Sequence, residues 1–286
     1  MTAVRAITAP QEAWATLSQA ERDAAYNNNA AVADSPAQIA ARDAASAAFR
    51  AAHPEALDIP YGDAPRQKFD LYPAGDAGAP CLVFIHGGYW QRNSREVFAA
   101  YAEGLLAAGW SVAMPSHTLA PEAPLSAIVA EIGAALDWLA REGAAHGIAG
   151  PLVLAGWSAG AHLTALHLNH PKVVAGLAIS GVYELAPLRD TFLNTALQLT
   201  DDEIATLSPL RLSPASKPLA IAYGTNELPA LIHDSQSLHF LHAASGAPAT
   251  LIPICEADHF SILNELRNPD GLLVQAAREV LDGART

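Results

Sequence analysis

A buried strand that turns through two glycines into a helix is the feature that most constrains this chain. Residues 152–163 read Leu-Val-Leu-Ala-Gly-Trp-Ser-Ala-Gly-Ala-His-Leu, an apolar run, a Gly-x-Ser-x-Gly turn and a helix-forming run. A sharp strand-to-helix turn crowds the backbone, and glycines two residues on either side of the serine avoid the collision. The serine hydroxyl then projects from the turn, where helical N–H groups point at any developing anion. The pattern predicts Ser158 as a nucleophile.

The same strand belongs to an alternating series of short apolar runs and helical segments. The apolar runs are 81–85, 110–114, 152–155, 173–179, 219–223 and 250–255. The helical segments between and after them are 96–108, 126–142, 161–169, 235–244 and 269–282. Such alternation is typical of an α/β fold, in which helices cover both faces of a mostly parallel sheet. Hydrophobic residues make up 51% of the 286 residues, enough for one large core.

Two segments stand outside this alternation. Residues 1–52 are rich in alanine, with helix-favouring runs at 12–25 and 38–52, and we expect them to form a helical lid or arm that carries Trp14 and Tyr26. Residues 53–286 are expected to form the main domain, which opens with a hairpin that extends one edge of the sheet. Within it, residues 185–216 predict a helical insertion over the carboxyl ends of the strands.

Charge and cysteine content narrow the partners and the compartment. A net charge of −13 disfavours binding to nucleic acid and to anionic membranes. Residues 1–11 lack a signal-peptide core, and no apolar run reaches about 18 residues. Cys81 and Cys255 lie in apolar runs and predict buried, reduced thiols. We therefore expect a cytoplasmic protein with a small-molecule substrate, and the sequence leaves the oligomeric state open, a homodimer included.

A second glycine turn follows an earlier strand. Residues 86–90 read His-Gly-Gly-Tyr-Trp, and exposed backbone N–H groups in such a turn can hold an oxyanion together with the N–H after the nucleophile. A tight turn with a purely steric need for glycine is the simpler alternative. The order of the two turns is the one that an α/β-hydrolase requires. The predicted oxyanion hole consists of Gly87, Gly88, Tyr89 and Ala159, and His86 is expected to brace the loop.

A general base must be chosen among eleven histidines. His259 follows the last predicted strand, where the order serine, acid, histidine places the base. The histidines on the helix after the nucleophile would mostly point away from it; these are His162, His167 and His170. His239 and His242 share a helical face and could hold a metal, but no carboxylate in the sequence converges on them. We expect neither a metal nor an organic cofactor.

The acid of such a triad should follow the strand at residues 219–223. Glu227 stands in that position and is the predicted partner of His259. Asp234 lies further along and is expected to cap a helix. Asp258 is adjacent to His259, and neighbouring side chains diverge, so it is a poor partner.

At these motifs the chain resembles the kynurenine formamidase (arylformamidase) branch of the α/β-hydrolases, over about residues 57–266. The resemblance rests on Pro60-Tyr61-Gly62-Asp63, His86-Gly87-Gly88-Tyr89-Trp90-Gln91, Leu119-Ala120-Pro121, Gly156-Trp157-Ser158-Ala159-Gly160-Ala161-His162-Leu163, Ser180-Gly181-Val182-Tyr183-Glu184-Leu185, Leu207-Ser208-Pro209 and Asp258-His259-Phe260. The His-Gly-Gly-x-Trp form is the most specific of these, since hormone-sensitive-lipase-like esterases carry a third glycine where Tyr89 stands.

The resemblance implies hydrolysis of an N-formyl aromatic amine, such as N-formylkynurenine, to formate and the free amine. It also implies a triad of Ser158, Glu227 and His259. Three departures bear on this: glutamate replaces the more frequent aspartate, Trp157 stands where the animal enzymes usually have histidine, and His117 stands where tyrosine is usual. The last two departures concern the substrate more than the triad.

Aromatic residues around these motifs predict the walls of a pocket for a flat or apolar group. The predicted pocket residues are Tyr89, Trp90, Trp157, His117 and Phe260. For Trp157, a place in the core is an equal alternative.

Two other functions remain open: hydrolysis of small carboxylic esters or lactones by the same mechanism, and ligand binding by a catalytically silent hydrolase scaffold. The complete set of serine, glutamate and histidine argues against the silent scaffold.

Overall fold

The centre of the protein is an eight-stranded sheet, in a computed structural model that describes residues 11–285. Its strands are β1 (Ile59–Pro60), β2 (Lys68–Tyr72), β3 (Cys81–Ile85), β4 (Ser111–Pro115), β5 (Leu152–Trp157), β6 (Val173–Ile179), β7 (Leu219–Gly224) and β8 (Ala249–Ile254). Their spatial order is β1-β2-β4-β3-β5-β6-β7-β8. β1 pairs antiparallel with β2 and β2 with β4, and the other pairs are parallel. The predicted parallel sheet with an edge hairpin is confirmed.

Helices follow most of the strands. The α-helices are α1 (Gln11–Thr16), α2 (Gln19–Ala24), α3 (Asn28–Ala31), α4 (Ser35–Ala52), α5 (Glu103–Ala107), α6 (Leu125–Glu142), α7 (Ala159–His167), α8 (Asn194–Leu197), α9 (Asp201–Leu207), α10 (Pro229–Ala244) and α11 (Leu272–Gly283). The 3₁₀ helices are Arg95–Ala102, Gly143–His146, Ala186–Asp190, Pro209–Arg211 and Ser261–Leu266. Within residues 11–285, no helix is both long enough and apolar enough to cross a membrane.

The core has two layers, one on each face of the sheet, because side chains along a strand alternate between faces. In β3, Cys81, Val83 and Ile85 pack on the layer that contains the apolar side of α6. Leu82 and Phe84 face the opposite layer, with the apolar side of α11. All five residues of β3 are buried, and burial raises the pKa of the Cys81 thiol above its usual range. The prediction of a second buried thiol is wrong: β8 ends at Ile254, and Cys255 is exposed.

The N-terminal segment packs along the 3₁₀ helix Arg95–Ala102. From α4, the Ser46 hydroxyl accepts a hydrogen bond from the backbone N–H of Ala100 at 3.2 Å, and the Arg42 guanidinium lies 4.5 Å above the centre of the Phe98 ring. The predicted single helix at 12–25 is two helices, since Ser18 forms a capping box that begins α2. The first ten residues of the predicted arm lie outside the described residues.

The insertion between β6 and β7 is helical, as predicted, and it contacts the N-terminal segment. The Trp14 indole donates to the Asp190 carboxylate at 3.1 Å, and the backbone N–H of Phe192 donates to the Asp23 carboxylate at 2.7 Å. Trp14 also packs edge-on against Tyr26, with ring centres 5.9 Å apart. These contacts join the N-terminal segment to the insertion, the two parts of the chain that lie outside the alternating pattern of strands and helices.

Candidate active site

Ser158 lies at the turn between β5 and α7 with a backbone φ of +58° and ψ of −118°. Few non-glycine residues adopt such angles, and they cluster at functional sites. The flanking glycines are a steric requirement of the turn. A Cβ on Gly156 would lie 2.2 Å from the carbonyl oxygen of Gly160, and one on Gly160 would lie 2.0 Å from that of Ile85. The turn therefore fixes the serine at the carboxyl end of the central strand.

His259 and Glu227 converge on this serine. The His259 Nε2 lies 3.2 Å from the Ser158 Oγ, and its Nδ1 lies 3.0 Å from the Glu227 Oε2. Glu227 follows β7 and His259 follows β8, so the carboxyl ends of neighbouring parallel strands bring them together. All three side chains are buried. The sequence-predicted trio thus forms one hydrogen-bonded chain that can pass a proton from the serine hydroxyl to the imidazole.

The Glu227 carboxylate is held by two further donors. The Ser180 hydroxyl donates to Oε1 at 2.5 Å, and the backbone N–H of Gly224 donates to the same oxygen at 2.7 Å. Ser180 follows β6 with a φ of +54°, an unusual conformation for serine. Ser180 belongs to one of the motifs shared with the family, but its sequence did not predict a contact with the acid. Its position after a buried strand, next to a glycine, was the available signal.

Trp157 contacts the imidazole from the other side. Its ring centre lies 4.7 Å from that of His259, and its indole N–H donates to the backbone carbonyl of His259 at 2.8 Å. Only 3% of Trp157 is exposed, and its ring packs in the core layer beside Phe98. Both alternatives for this residue therefore hold, since it fills the core and also borders the cavity described below.

The glycine loop after β3 lies directly against the nucleophile turn. A Cβ on Gly87 would lie 2.6 Å from the backbone oxygen of Trp157 and 2.9 Å from the Ser158 Cβ, so this approach requires glycine. Gly88 and Tyr89 both have positive φ, of +123° and +50°. Over residues 11–285, the backbone N–H groups of Gly88, Tyr89 and Ala159 donate to no protein acceptor. Unpaired N–H groups beside a serine can bind a developing oxyanion.

His86 braces this loop. Its Nδ1 lies 3.0 Å from the carbonyl oxygen of Gly87, which also accepts a hydrogen bond from the Asn93 side chain at 3.1 Å. The His86 ring is buried and stacks on His117, with ring centres 4.7 Å apart. Burial lowers the pKa of His86 well below its usual range. A neutral imidazole suits this bracing position.

A cavity of about 250 Å³ opens over Ser158 and His259. Its walls combine the glycine loop, the N-terminal segment and the insertion. The lining residues are Tyr26, Asn27, Asn28, Asn29, Ile39, Arg42, Gly88, Tyr89, Arg92, Asn93, Trp157, Ser158, Phe192, His259 and Phe260. Of the five predicted pocket residues, Tyr89, Trp157 and Phe260 line it.

The other two predicted pocket residues lie in the core, and their assignment was wrong. Trp90 is 1% exposed, and its ring packs edge-on against His162 of α7, since a φ of +57° turns the chain inward after the loop. His117 is equally buried, stacks on His86 and lies 2.6 Å through its Nδ1 from the Thr118 carbonyl oxygen. Burial lowers the pKa of His117 to about 4.

Two carboxylates near the trio have structural contacts instead. Asp234 lies inside α10, not at its start, so the predicted capping role is wrong: its carboxylate accepts the backbone N–H groups of Tyr183 and Glu184, at 2.5 and 3.1 Å. Asp258 accepts hydrogen bonds from the backbone of Ser261 and Phe260 and does not face the imidazole.

The remaining histidines do not reach the serine. His162 Nε2 bonds to the Leu207 carbonyl oxygen at 2.7 Å and His167 Nε2 to that of Val129 at 2.8 Å, while His170 pairs with Asp137. His239 and His242 lie on α10. Among the described residues, no group of three or more histidine, cysteine, aspartate or glutamate side chains could hold a metal ion.

The N-terminal segment is bonded to the glycine loop. The Tyr89 hydroxyl donates to the backbone carbonyl of Tyr26 at 2.7 Å and accepts a hydrogen bond from the Asn28 side-chain amide at 3.1 Å. The asparagine run 27–29 is thereby placed on the cavity wall.

A second cavity of about 240 Å³ adjoins the first. The two share the side chains of Ile39, Arg42, Trp157 and Phe260. The second cavity extends between α4 and the 3₁₀ helix Ser261–Leu266, where Tyr101 and Arg267 contribute to its lining. A ligand bound at Ser158 can therefore extend past Trp157 and Phe260 into this second cavity.

Known proteins share this architecture. The BD-FAE family model matches residues 69–172. Kynurenine formamidase from Danio rerio is 28% identical over 235 residues, which cover 77% of this chain and 79% of the relative. A solved structure from Silicibacter sp. TM1040, provisionally described as a thioesterase, is 31% identical, with a TM-score of 0.80 over 90% of this chain and 99% of its own. The chain has the α/β-hydrolase fold and is similar to the kynurenine formamidases.

Esterase B from Lactobacillus rhamnosus shows how far the fold extends beyond close sequence similarity. At 21% identity its structure still gives a TM-score of 0.70, over 93% of this hydrolase and 96% of the esterase. The fold class and the enzyme class predicted from the sequence are confirmed. This α/β-hydrolase is an enzyme of the formamidase or esterase kind.

Proposed function

We propose that this hydrolase cleaves N-formyl aryl amides of the N-formylkynurenine type to formate and the free amine. The observation that carries the proposal is the hydrogen-bonded chain of Ser158, His259 and Glu227 beneath an aromatic cavity. The relatives named kynurenine formamidase support the choice of substrate. The aromatic lining favours a flat group through stacking and burial.

In the first half of the reaction, Ser158 attacks the formyl carbon while His259 takes the hydroxyl proton. Glu227 orients the imidazole and stabilises its charged form. The carbonyl oxygen becomes an oxyanion within reach of the backbone N–H groups of Gly88, Tyr89 and Ala159. His259 then donates its proton to the amide nitrogen, the carbon–nitrogen bond breaks, and the aryl amine leaves a formyl ester on the serine.

Water completes the reaction. His259 removes a proton from a water molecule that attacks the formyl ester, and the second tetrahedral intermediate uses the same backbone donors. When it collapses, Ser158 recovers its proton from His259 and formate is released. The reaction uses side chains and backbone N–H groups of this chain and one water molecule, and it needs no added oxidant or reductant.

Hydrolysis of small carboxylic esters is the second candidate. Solved structures similar to this hydrolase include the 31% identical one provisionally described as a thioesterase, and several named as esterases share its fold. The same serine attack and oxyanion contacts would cleave an ester or lactone, with an alcohol as the leaving group. The 3.2 Å contact between Ser158 and His259 argues against a third candidate, a silent binding protein. The net charge of −13 supports a small-molecule substrate rather than a nucleic-acid partner.

A substrate panel tests the proposal. It compares N-formyl aniline derivatives with the matching acetanilides and with p-nitrophenyl acetate, on wild type, Ser158→Ala and the exposed-site control Ser216→Ala. We expect formate release by wild type and by the control, and a loss of at least about 10³-fold in Ser158→Ala. Turnover of esters alone would replace the proposal with the second candidate. Absence of all turnover, with no labelling of Ser158 by a fluorophosphonate, would contradict both.

A further inference from the structure

The cavity over Ser158 is basic in an acidic protein. The chain has 29 acidic residues against 16 lysines and arginines. The lining described above nevertheless includes two arginines, Arg42 and Arg92, and no aspartate or glutamate. The adjoining cavity contributes Arg267, again with no carboxylate in its lining. The walls of the two cavities therefore carry positive charge although the chain as a whole is negative, and they focus a positive potential at the place of the substrate.

Arg42 is fixed at the junction of the two cavities. Its side chain is only 8% exposed, its Nε and Nη2 bind the Asp43 carboxylate, and its guanidinium stacks over Phe98. Within the part of the chain that is described, its Nη1 has no hydrogen-bond partner. Asp43 is itself 43% exposed, so solvent screens that pair and the arginine keeps a charge available to the cavity.

Arg92 lies at the open side of the first cavity. Its backbone N–H donates to the carbonyl of Gly88 at 3.1 Å, which anchors it to the end of the glycine loop. Its side chain is exposed and forms no ion pair or hydrogen bond with any residue from 11 to 285. Arg267, by contrast, is already paired with Glu103 at 2.8 Å. Arg92 is thus the unpaired cation nearest in sequence to the oxyanion loop.

We infer that this hydrolase selects substrates with an anionic group, a carboxylate, on the part that occupies the cavity, and that Arg92 and Arg42 determine this specificity. The inference rests on the proposed function, since it names a feature of the same substrate. Guanidinium forks match a carboxylate with two parallel donors, and the low exposure of Arg42 strengthens such a contact. Neutral formamides and simple esters would use the aromatic walls alone.

A matched pair of substrates tests the inference. N-formyl-2-aminobenzoate and N-formyl-2-aminobenzamide differ in one charge, so the ratio of their kcat/KM values measures charge selectivity. We expect the ratio to favour the anion in wild type, to fall about five- to tenfold in Arg92→Gln and to fall further in Arg92→Glu. Arg141→Gln is the control, because it removes the same charge from an exposed site on α6 outside both cavities. A ratio unchanged by Arg92→Gln, or changed equally by Arg141→Gln, would overturn the inference.

Arg42→Gln is the second variant, with its melting temperature measured beside its kinetics because it removes the contact with Phe98. A folded Arg42→Gln protein with the wild-type ratio would remove Arg42 from the inference. If that variant does not fold, Arg92→Gln alone decides, since the exposed Arg92 side chain has no ion pair or hydrogen bond with residues 11–285 to lose.

A second measurement separates this inference from the proposed function. With p-nitrophenyl acetate as the reporter, 2-aminobenzoate and 2-aminobenzamide are compared as competitive inhibitors of wild type, Arg92→Gln and Arg141→Gln. Stronger inhibition by the anion, lost in Arg92→Gln only, supports the basic subsite even if neither formamide is cleaved. Formamide cleavage with equal inhibition by the two compounds would keep the proposed function and overturn the subsite.

Discussion

The Ser180 hydroxyl donates a 2.5 Å hydrogen bond to Glu227, the carboxylate whose other oxygen faces His259. Ser180 is fully buried, and Glu227 is 7% exposed. The carboxylate is therefore out of solvent and depends on protein donors for its orientation. We interpret Ser180 as a positioning residue that aligns Glu227 with the imidazole.

Ser180→Ala tests that relationship. Removal of the hydroxyl leaves Glu227 with the Gly224 N–H and His259, so the carboxylate can rotate away from the imidazole. We expect kcat to fall about five- to twentyfold with KM within about twofold of wild type, since the loss affects the reaction step rather than binding. The matched control is Ser46→Ala, another fully buried serine, which accepts a hydrogen bond from Ala100 and none from the trio. Equal kcat losses in both variants would show a general packing effect.

The sequence predicted the strands well for a physical reason. Strands such as β3 and β6 are covered on both faces, so every position selects an apolar side chain and the run stands out. The glycine turns were equally readable, because the close approach at Gly156 and Gly160 leaves no room for a Cβ. Chain order then placed Glu227 and His259 after successive parallel strands.

The cavity walls were less predictable, because they depend on side-chain direction and on distant segments. Trp90 is adjacent to Tyr89 in sequence, yet two consecutive positive φ angles send one ring to the cavity and the other into the core. Arg42 reaches the site from a helix whose pattern indicated only an alanine-rich amphipathic segment. The position of each side chain depends on tertiary contacts, and the neighbouring sequence does not predict those contacts.

Trp157→Phe should weaken catalysis while keeping an aromatic ring at the site. The substitution deletes the indole N–H that bonds to the His259 carbonyl, and it leaves that buried acceptor without its partner. We expect kcat to fall about tenfold and the free energy of unfolding to fall by about 1–3 kcal/mol. Trp138→Phe serves as the control, since Trp138 packs on Phe69 in the core layer on the other face of the sheet from Trp157. Both variants are assayed with p-nitrophenyl acetate. An unchanged kcat in Trp157→Phe would show that the hydrogen bond from the indole to the His259 carbonyl does not contribute to catalysis.

Tyr89→Phe should loosen the N-terminal segment from the cavity. The lost hydroxyl bonds to both Tyr26 and Asn28, and we propose that these contacts close residues 26–29 over Ser158 as a lid. We expect KM to rise several-fold and trypsin to cleave within α1–α4 sooner than in wild type. Tyr61→Phe is the control, because the buried Tyr61 hydroxyl donates to the backbone carbonyl of Ser116 and not to the N-terminal segment. If kcat and KM stay at their wild-type values after proteolytic removal of the N-terminal segment, the proposed lid is wrong.

Asp234→Asn should remove a pH dependence from the stability of the protein. Burial raises the pKa of Asp234 to about 7, against the hydrogen bonds from Tyr183 and Glu184 that lower it. Because the folded pKa lies above the unfolded value of 3.8, the stabilisation is complete below about pH 4 and is lost as pH rises towards 7. Between pH 5 and pH 8, urea unfolding should show wild type losing about 2–3 kcal/mol relative to Asp234→Asn. The exposed-site variant Asp63→Asn should stay parallel to wild type across that range. A constant difference between wild type and Asp234→Asn would mean that Asp234 is already ionised throughout, held by its two backbone donors.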